Sequence, residues 1–164
     1  MGGQLEIENQ PYHYRQCGLD HVYLVNGFER ADTKYGDSIR VHDIDGLHRA
    51  IGMHLIEQKR PLTGAEVRFI RHELDLSQRG LGDLLDKSGQ TVARWEKGEV
   101  QIDGTAERLL RLLYKNHAQP SSRTAIRKTL ESLALLTLAG GNDESQVRFV
   151  EDTAGRWHQA PALA

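Results

Sequence analysis

The feature that most constrains the fold is a series of short helical segments between residues 63 and 98. Thr63 and Glu66 have the spacing of a capping box, in which each side chain accepts a hydrogen bond from the other residue's backbone amide. Ser77 and Ser88 are placed as the N-caps of two further helices, and Gly98 is typical of a helix C-terminus. Helices this short are marginal in water by themselves. We therefore expect them to pack on one another as a small helical domain.

The chain before this domain predicts short strands followed by one helix. A helical period runs from Asp43 to about Gln58, and Pro61 ends it. Upstream of that helix, clusters of β-branched and aromatic residues are separated by turns that contain glycine, which is typical of short strands. The clusters are Tyr12–Tyr14, His21–Val25 and Ser38–Val41.

The chain after Gly98 predicts two more helices and one strand. Apolar residues recur with a helical period at 105–116 and again from Arg123 to Ala139. A short alternating run at 146–151 is compatible with a strand, and the end of the chain after Trp157 is expected to fray. The predicted fold class is α+β, in three segments: a β-rich N-terminal module with one helix (1–60), an all-α domain (61–118), and a C-terminal extension of helix, strand and tail (119–164).

Charge and composition favour some classes of protein over others. The formal net charge is −2, but residues 59–117 contain 11 basic and 9 acidic side chains, whereas the remainder contains 10 and 14. This asymmetry favours the middle segment as the part that faces a polyanion. The most apolar stretch, Leu130–Ala139, is about half as long as a membrane span, and the single cysteine suits a reducing compartment. We therefore expect a soluble, cytoplasmic protein with no membrane partner.

Residues 62–98 carry a specific motif, LTGAEVRFIRHELDLSQRGLGDLLDKSGQTVARWEKG. This stretch resembles the XRE-type, lambda-repressor-like helix-turn-helix, above all in the Ser-Gln opening of its second helix and the Trp-Glu-Lys-Gly close of its third. More broadly, the chain resembles MqsA-type antitoxins and related regulators, in which a small N-terminal module, here a degenerate zinc finger, precedes this domain. The resemblance implies a sequence-specific and autoregulatory transcriptional repressor, or an antitoxin whose partner is a toxin protein.

The resemblance also implies which residues meet DNA. The third helix of such a domain enters the major groove, so Gly89, Gln90, Thr91 and Arg94 are expected at base edges. Glutamine suits adenine, arginine suits guanine, and the threonine methyl suits thymine. Gln78 resembles the phosphate clamp of the family. Weaker phosphate contacts are expected from Ser88, Lys87 and Lys97. The alternative is that Gln90 and Arg94 are ordinary solvated positions on an amphipathic helix.

Four other residues of the motif have structural roles in the family that this stretch resembles. Val92 and Trp95 are expected to pack in the core. Arg71 and Glu96 are expected to form an ion pair that joins the first helix to the end of the third. The alternative for this pair is two unrelated surface charges.

Assembly follows from the small size of the DNA-reading unit. A single recognition helix reads only a few base pairs, so we expect a homodimer bound to double-stranded DNA with an inverted repeat. The predicted dimer contact is the helix from Arg123 to Ala139 or the helix at 105–116. The alternative is that the apolar surface of the former helix packs internally.

Two groups of residues suggest metal chemistry. His13, Cys17 and His21 lie where MqsA-type relatives hold zinc, but the sequence has no second cysteine to complete four ligands. The second group suggests a metal-dependent hydrolase, although a helix N-cap aspartate and a solvated His48 are the plainer interpretation. It consists of His42, Asp43, Asp45 and His48.

The sequence lacks a nucleotide-binding loop and the Gly-x-Ser-x-Gly motif of hydrolases. We therefore predict no enzymatic activity, no metal and no cofactor. The alternative to a repressor is a protein-binding adaptor with a vestigial helix-turn-helix.

Overall fold

The computed structural model describes residues 10–34, 36–119 and 146–161, and the chain divides into two compact units. Of the described residues, 10–50 and 146–161 belong to the first, here called the β unit, and 51–119 belong to the second, here called the helical unit. The combination of strands and helices confirms the α+β class. The predicted helix from Arg123 to Ala139 lies outside the described residues.

This division differs from the three predicted segments. The boundary falls between Ala50 and Ile51, within the helix that was assigned wholly to the N-terminal module, and the C-terminal strands belong to the β unit. The reason is hydrogen bonding between residues far apart in sequence: Val22 pairs with Val147 and Leu24 pairs with Phe149. Such pairings leave no periodic signal in either segment alone.

In its described residues, the β unit has six strands, which form a four-stranded sheet of order β1-β2-β5-β6 and a β3-β4 hairpin. The β2-β5 pair is parallel, and the other pairs are antiparallel. Residues buried in this unit include Tyr14, Leu19, Phe149 and Trp157. The strands are β1 (Tyr12–His13), β2 (Val22–Leu24), β3 (Phe28–Thr33), β4 (Gly36–Val41), β5 (Val147–Glu151) and β6 (Trp157–Gln159).

The prediction that the chain frays after Trp157 is wrong for the described residues. In β6, His158 pairs with Val150 and Gln159 pairs with Phe149. The Trp157 indole N–H also donates to the Asp43 carbonyl at 3.1 Å, and its side chain is buried. A buried tryptophan with a satisfied N–H anchors this strand despite the Ala- and Pro-rich residues that follow.

Four of the five helices in the described residues begin at a capping side chain. Thr63, Ser77, Ser88 and Asp103 each accept a backbone N–H as an N-cap, and the capping box predicted at Thr63 and Glu66 is confirmed. The helices are α1 (Ile44–Glu57), α2 (Gly64–Glu73), α3 (Gln78–Leu84), α4 (Gly89–Glu96) and α5 (Gly104–Ala118). Within the described residues, no helix combines the length and the apolar character that crossing a membrane requires.

Buried charges hold the end of α1 within the helical unit. The Arg111 guanidinium, 2% exposed, donates to the carbonyls of Ile56, Gln58 and Arg60 at 2.7–2.8 Å, and it also pairs with Glu107. Glu107 in turn accepts the Leu62 N–H at 3.2 Å. Since the last carbonyls of a helix have no partner within it, this arginine satisfies groups that would otherwise be buried without hydrogen bonds.

Candidate nucleic-acid interface

Helices α2, α3 and α4 are joined by two tight turns, each of which contains a residue in the left-handed backbone conformation. Asp75 and Asp86 both have φ of 54°, a conformation that aspartate tolerates better than most side chains. The Leu76 N–H donates to Arg71 O at 3.2 Å, and the Lys87 N–H donates to Gly82 O at 2.8 Å. These bonds satisfy carbonyls in the last turns of α2 and α3, so each helix stops after two or three turns.

Helix α4 has one buried face and one exposed face. Val92 and Trp95 are 0% and 4% exposed, which confirms their predicted place in the core. On the other side, Gln90 and Arg94 are exposed and Thr91 is half-buried. A helix whose polar face opens to solvent while its apolar face anchors it to α2 and α3 has the form that a major groove accommodates.

The first turn of α4 is ordered by its own cap. Ser88 Oγ accepts the Thr91 N–H at 3.1 Å and lies 2.9 Å from Thr91 Oγ1. Ser88 is exposed at this helix end, where unpaired backbone N–H groups favour an anion. The predicted phosphate contact of Ser88 and base contact of Thr91 are therefore adjacent and linked by hydrogen bonds.

Gly89 has a packing role that the sequence interpretation did not include. A Cβ at this position would lie 3.1 Å from the Cα and 3.2 Å from the N of Arg79, so α3 and α4 approach closely here. Gly89 is half-buried and offers no side chain to a base. This close packing is an additional role of Gly89, and its expected position at a base edge stays a prediction.

Gln78 belongs to a network centred on Glu96. Its amide donates to Glu96 Oε2 at 2.8 Å, while Arg71 donates to Glu96 Oε1 at 2.5 Å, so the predicted ion pair is present and buried. Arg68 lies 3.6 Å from the same carboxylate. Burial would raise the pKa of Glu96, but hydrogen bonds from Arg71 and Gln78 outweigh it and hold the pKa below its ordinary value. The Gln78 amide has two N–H donors, and its bond to Glu96 uses one of them.

Three cationic residues border the exposed face of α4, and each has an acidic neighbour. Arg94 and Lys97 lie 3.5 Å and 3.9 Å from the two carboxylate oxygens of Glu99. Lys87 lies 3.3 Å from Asp103, the N-cap of α5. The backbone N–H of Ala106 and the charge of Lys87 lower the pKa of Asp103 below its ordinary value. Lys87 and Lys97, which are predicted to contact phosphates, are therefore exposed, and nearby carboxylates partly neutralise their charge.

Sequence reasoning missed two cations and one anion at this surface. Arg79 is exposed in the first turn of α3, beside Gly89, and forms no ion pair with any residue that the structure describes. Arg68 is exposed on α2. Glu99 follows the helix that carries Arg94. Polar residues at exposed positions leave no periodic pattern, so the one sequence signal for Arg79 was its place just after the Ser77 N-cap, in the first turn of α3.

The residues considered for metal binding have local roles in the β unit. His13 lies 2.7 Å from the Asp20 carbonyl through Nε2 and stacks on Tyr23, and the Cys17 thiol donates to the Tyr14 carbonyl at 3.5 Å. Within the described residues, no three His, Cys, Asp or Glu side chains are grouped as metal ligands. His21 is half-buried beside β2.

The His42-to-His48 cluster is divided between separate hydrogen bonds. Asp43 caps α1 by accepting the Gly46 N–H at 2.9 Å, as the plainer interpretation expected. The prediction of a solvated His48 is wrong, because His48 is half-buried and lies 2.8 Å from the hydroxyl of buried Tyr14. His42 lies 3.3 Å from Glu29, and Asp45 is exposed.

Comparison of the chain with protein-family models, with curated proteins and with solved structures gave no match.

Proposed function

We propose that the chain is a sequence-specific, double-stranded-DNA-binding transcriptional repressor. The observation that carries this proposal is the arrangement of α4: its apolar face is buried, and Gln90 and Arg94 are exposed beside its capped N-terminus. The arginine fork matches O6 and N7 of guanine, and the glutamine amide matches N6 and N7 of adenine. Together they supply the two-point contacts from which a major-groove helix reads sequence.

Phosphate contacts complete the proposed interface. Gln78 and Ser88 lie at the N-terminal ends of α3 and α4, and Lys97 lies at the far end of α4. Such contacts fix the register of the helix on the duplex and carry no base information. The base-reading and phosphate-binding residues therefore predict two different mutant behaviours.

The test is selection of a binding site from randomised duplex DNA, followed by binding measurements on that site and on random DNA. Arg94→Ala should reduce discrimination at one guanine by about 10- to 100-fold, since a two-point base contact contributes ~1–3 kcal/mol. Gln78→Ala should lower the affinity for the selected site and for random DNA by the same factor. The control is Arg49→Ala, which removes an exposed arginine of the β unit and should leave both affinities unchanged. If Arg94→Ala lost the same affinity for the selected site and for random DNA, the assignment of Arg94 to a base would be contradicted. A wild-type protein that binds a protein partner but prefers no DNA sequence would favour an adaptor.

We further propose that the repressor acts as a homodimer. Leu109 on α5 is 40% exposed, and the neighbouring Leu112 and Leu113 are half-buried, so this helix offers apolar surface to a second copy. A two-fold dimer should bind half-sites one DNA turn, ~34 Å, apart, and insertion of half a turn between them should abolish tight binding. A footprint confined to one half-site with monomeric protein would contradict this proposal.

A further inference from the structure

The residue after Gly98, Glu99, is held against Arg94 by the backbone. Gly98 has φ of +73°, the Gly98 N–H donates to Trp95 O at 3.0 Å, and the Glu99 N–H donates to Arg94 O at 3.0 Å. These are the two bonds of a Schellman motif, which places the second residue after the cap beside the third-last residue of the helix. That contact is usually apolar. Here it joins a carboxylate to the arginine that faces DNA.

The geometry of the pair leaves the reading atoms of Arg94 available. The nearest atoms of the pair are Arg94 Nε and Glu99 Oε2, at 3.5 Å, and the two terminal nitrogens make no hydrogen bond to any residue that the structure describes. Those terminal nitrogens form the fork that matches guanine O6 and N7. Arg94 and Glu99 are 60% and 50% exposed, so the pair lies at the surface where DNA would arrive.

We propose that Glu99 is a positioning residue, which holds Arg94 by its Nε edge so that its fork reads guanine and does not pair with the phosphate backbone. The inference rests on the proposed function. Without Glu99, the long arginine side chain is free to pair with phosphates of any sequence. Lys97, 3.9 Å from the other carboxylate oxygen, is restrained in the same way. Glu99 therefore lowers the affinity for random DNA more than it lowers the affinity for the operator.

The test compares Glu99→Gln with the wild type on three duplexes: the selected operator, the same operator with 7-deazaguanine at the base read by Arg94, and a random duplex. The control is Glu57→Gln, which removes the same charge from an exposed position on α1. For Glu99→Gln, the affinity for random DNA should rise by up to about 5-fold, the range of an exposed ion pair. Its salt dependence on random DNA should steepen by about one released counterion.

The 7-deazaguanine duplex separates positioning from simple charge removal. Because 7-deazaguanine lacks the N7 acceptor, the wild type should bind this duplex at least about 10-fold more weakly than it binds the unmodified operator. The loss of affinity should be smaller for Glu99→Gln. Glu99→Asp should restore part of the wild-type preference, and circular dichroism should show the same fold for all variants.

If Glu99→Gln and Glu57→Gln gave the same ratio of operator affinity to random-DNA affinity, this inference would be overturned. The DNA-binding proposal would stay intact. A wild-type protein that prefers no sequence would overturn both.

Discussion

Glu96 is the carboxylate that connects α4 to α2 and α3 through buried hydrogen bonds. Its side chain is 0% exposed and accepts hydrogen bonds from Arg71 on α2 and from Gln78 on α3. One residue at the end of α4 thus joins all three helices of the motif. An isolated buried charge would be strongly unfavourable, and the two donors offset that cost.

Glu96 should make the stability of the helical unit depend on pH in the acid range. Its pKa in the folded protein is below the ordinary value of 4.5. Its contribution to the free energy of unfolding is therefore complete above pH 4.5 and is lost as the pH falls through the folded pKa. At neutral pH, Glu96→Gln should lower the free energy of unfolding by about 3 kcal/mol, because it leaves the Arg71 charge buried.

Denaturant unfolding between pH 7 and pH 3, followed by circular dichroism, would measure this effect. The difference between wild type and Glu96→Gln should narrow below pH 4.5, whereas exposed Glu57→Gln should match the wild type throughout. A difference that is constant across the pH range would show that the carboxylate charge is not responsible.

Most side chains of the candidate interface were predicted from the sequence, but the residues that pack against them or pair with them were not. Thr63, Ser77 and Ser88 were found because an N-cap acts within three residues, so its signal is local. The packing role of Gly89 depends on the Arg79 backbone, and the position of Glu99 depends on the left-handed Gly98. Both involve three-dimensional contacts that the pattern of apolar residues does not record.

Among the helices, the close approach of α3 to the turn before α4 depends on Gly82. A Cβ at this position would lie 2.6 Å from Lys87 O and 3.1 Å from Gly89 N, and both atoms are backbone. A Cβ at Gly80, on the same helix, would have the Ser77 side-chain oxygen as its nearest contact, at 3.3 Å. The two glycines therefore form a matched pair for testing helix packing.

We expect Gly82→Ala to destabilise the protein and Gly80→Ala to change its stability little. Overpacking costs ~1–3 kcal/mol, which outweighs the gain of up to ~1 kcal/mol from better helix propensity. Thermal unfolding of both variants would measure the difference. If Gly82→Ala melted at or above the wild-type temperature, the close approach of α3 to this turn would not be required by the fold.

Helices were predicted more completely than strands because their signals lie within one segment. Every predicted helix inside the described residues is present, with ends shifted by one or two residues. By contrast, β3 and β6 were not predicted. Phe28–Thr33 is mostly polar and lacks a clear alternation, and it forms a strand because it pairs residue by residue with Gly36–Val41. Pairing of this kind overrides the weak propensity of the segment.

For the molecule as a whole, the parallel pairing of β2 with β5 is the contact that most defines the β unit. Residues 22–24 meet residues 147–149, and the entire helical unit lies between them in the sequence. Phe149 is 1% exposed, so its side chain contributes to the core of the β unit. The β unit should therefore be sensitive to changes near the C-terminal end of the chain.

Phe149→Ala should destabilise the β unit by about 3–5 kcal/mol, as expected for loss of a buried phenylalanine. The half-buried neighbour Val150 provides a control, and Val150→Ala should have a much smaller effect. Amide hydrogen exchange, resolved by residue, would show faster exchange in β2 and β5 for Phe149→Ala, while α2–α5 keep their protection. Equal acceleration in the helices would indicate that both units unfold together.

The same strand pairing has a consequence for synthesis of the protein on the ribosome. β1 and β2 leave the ribosome early, but β5 is made roughly 120 residues later, a delay of about 6–25 s at ordinary rates of translation. During that interval, α2, α3 and α4 have been made and can fold from local contacts, while β2 has one unoccupied edge. An unoccupied strand edge invites pairing with other chains. Nascent chains should thus be most prone to aggregation after α4 is complete and before β5 pairs with β2.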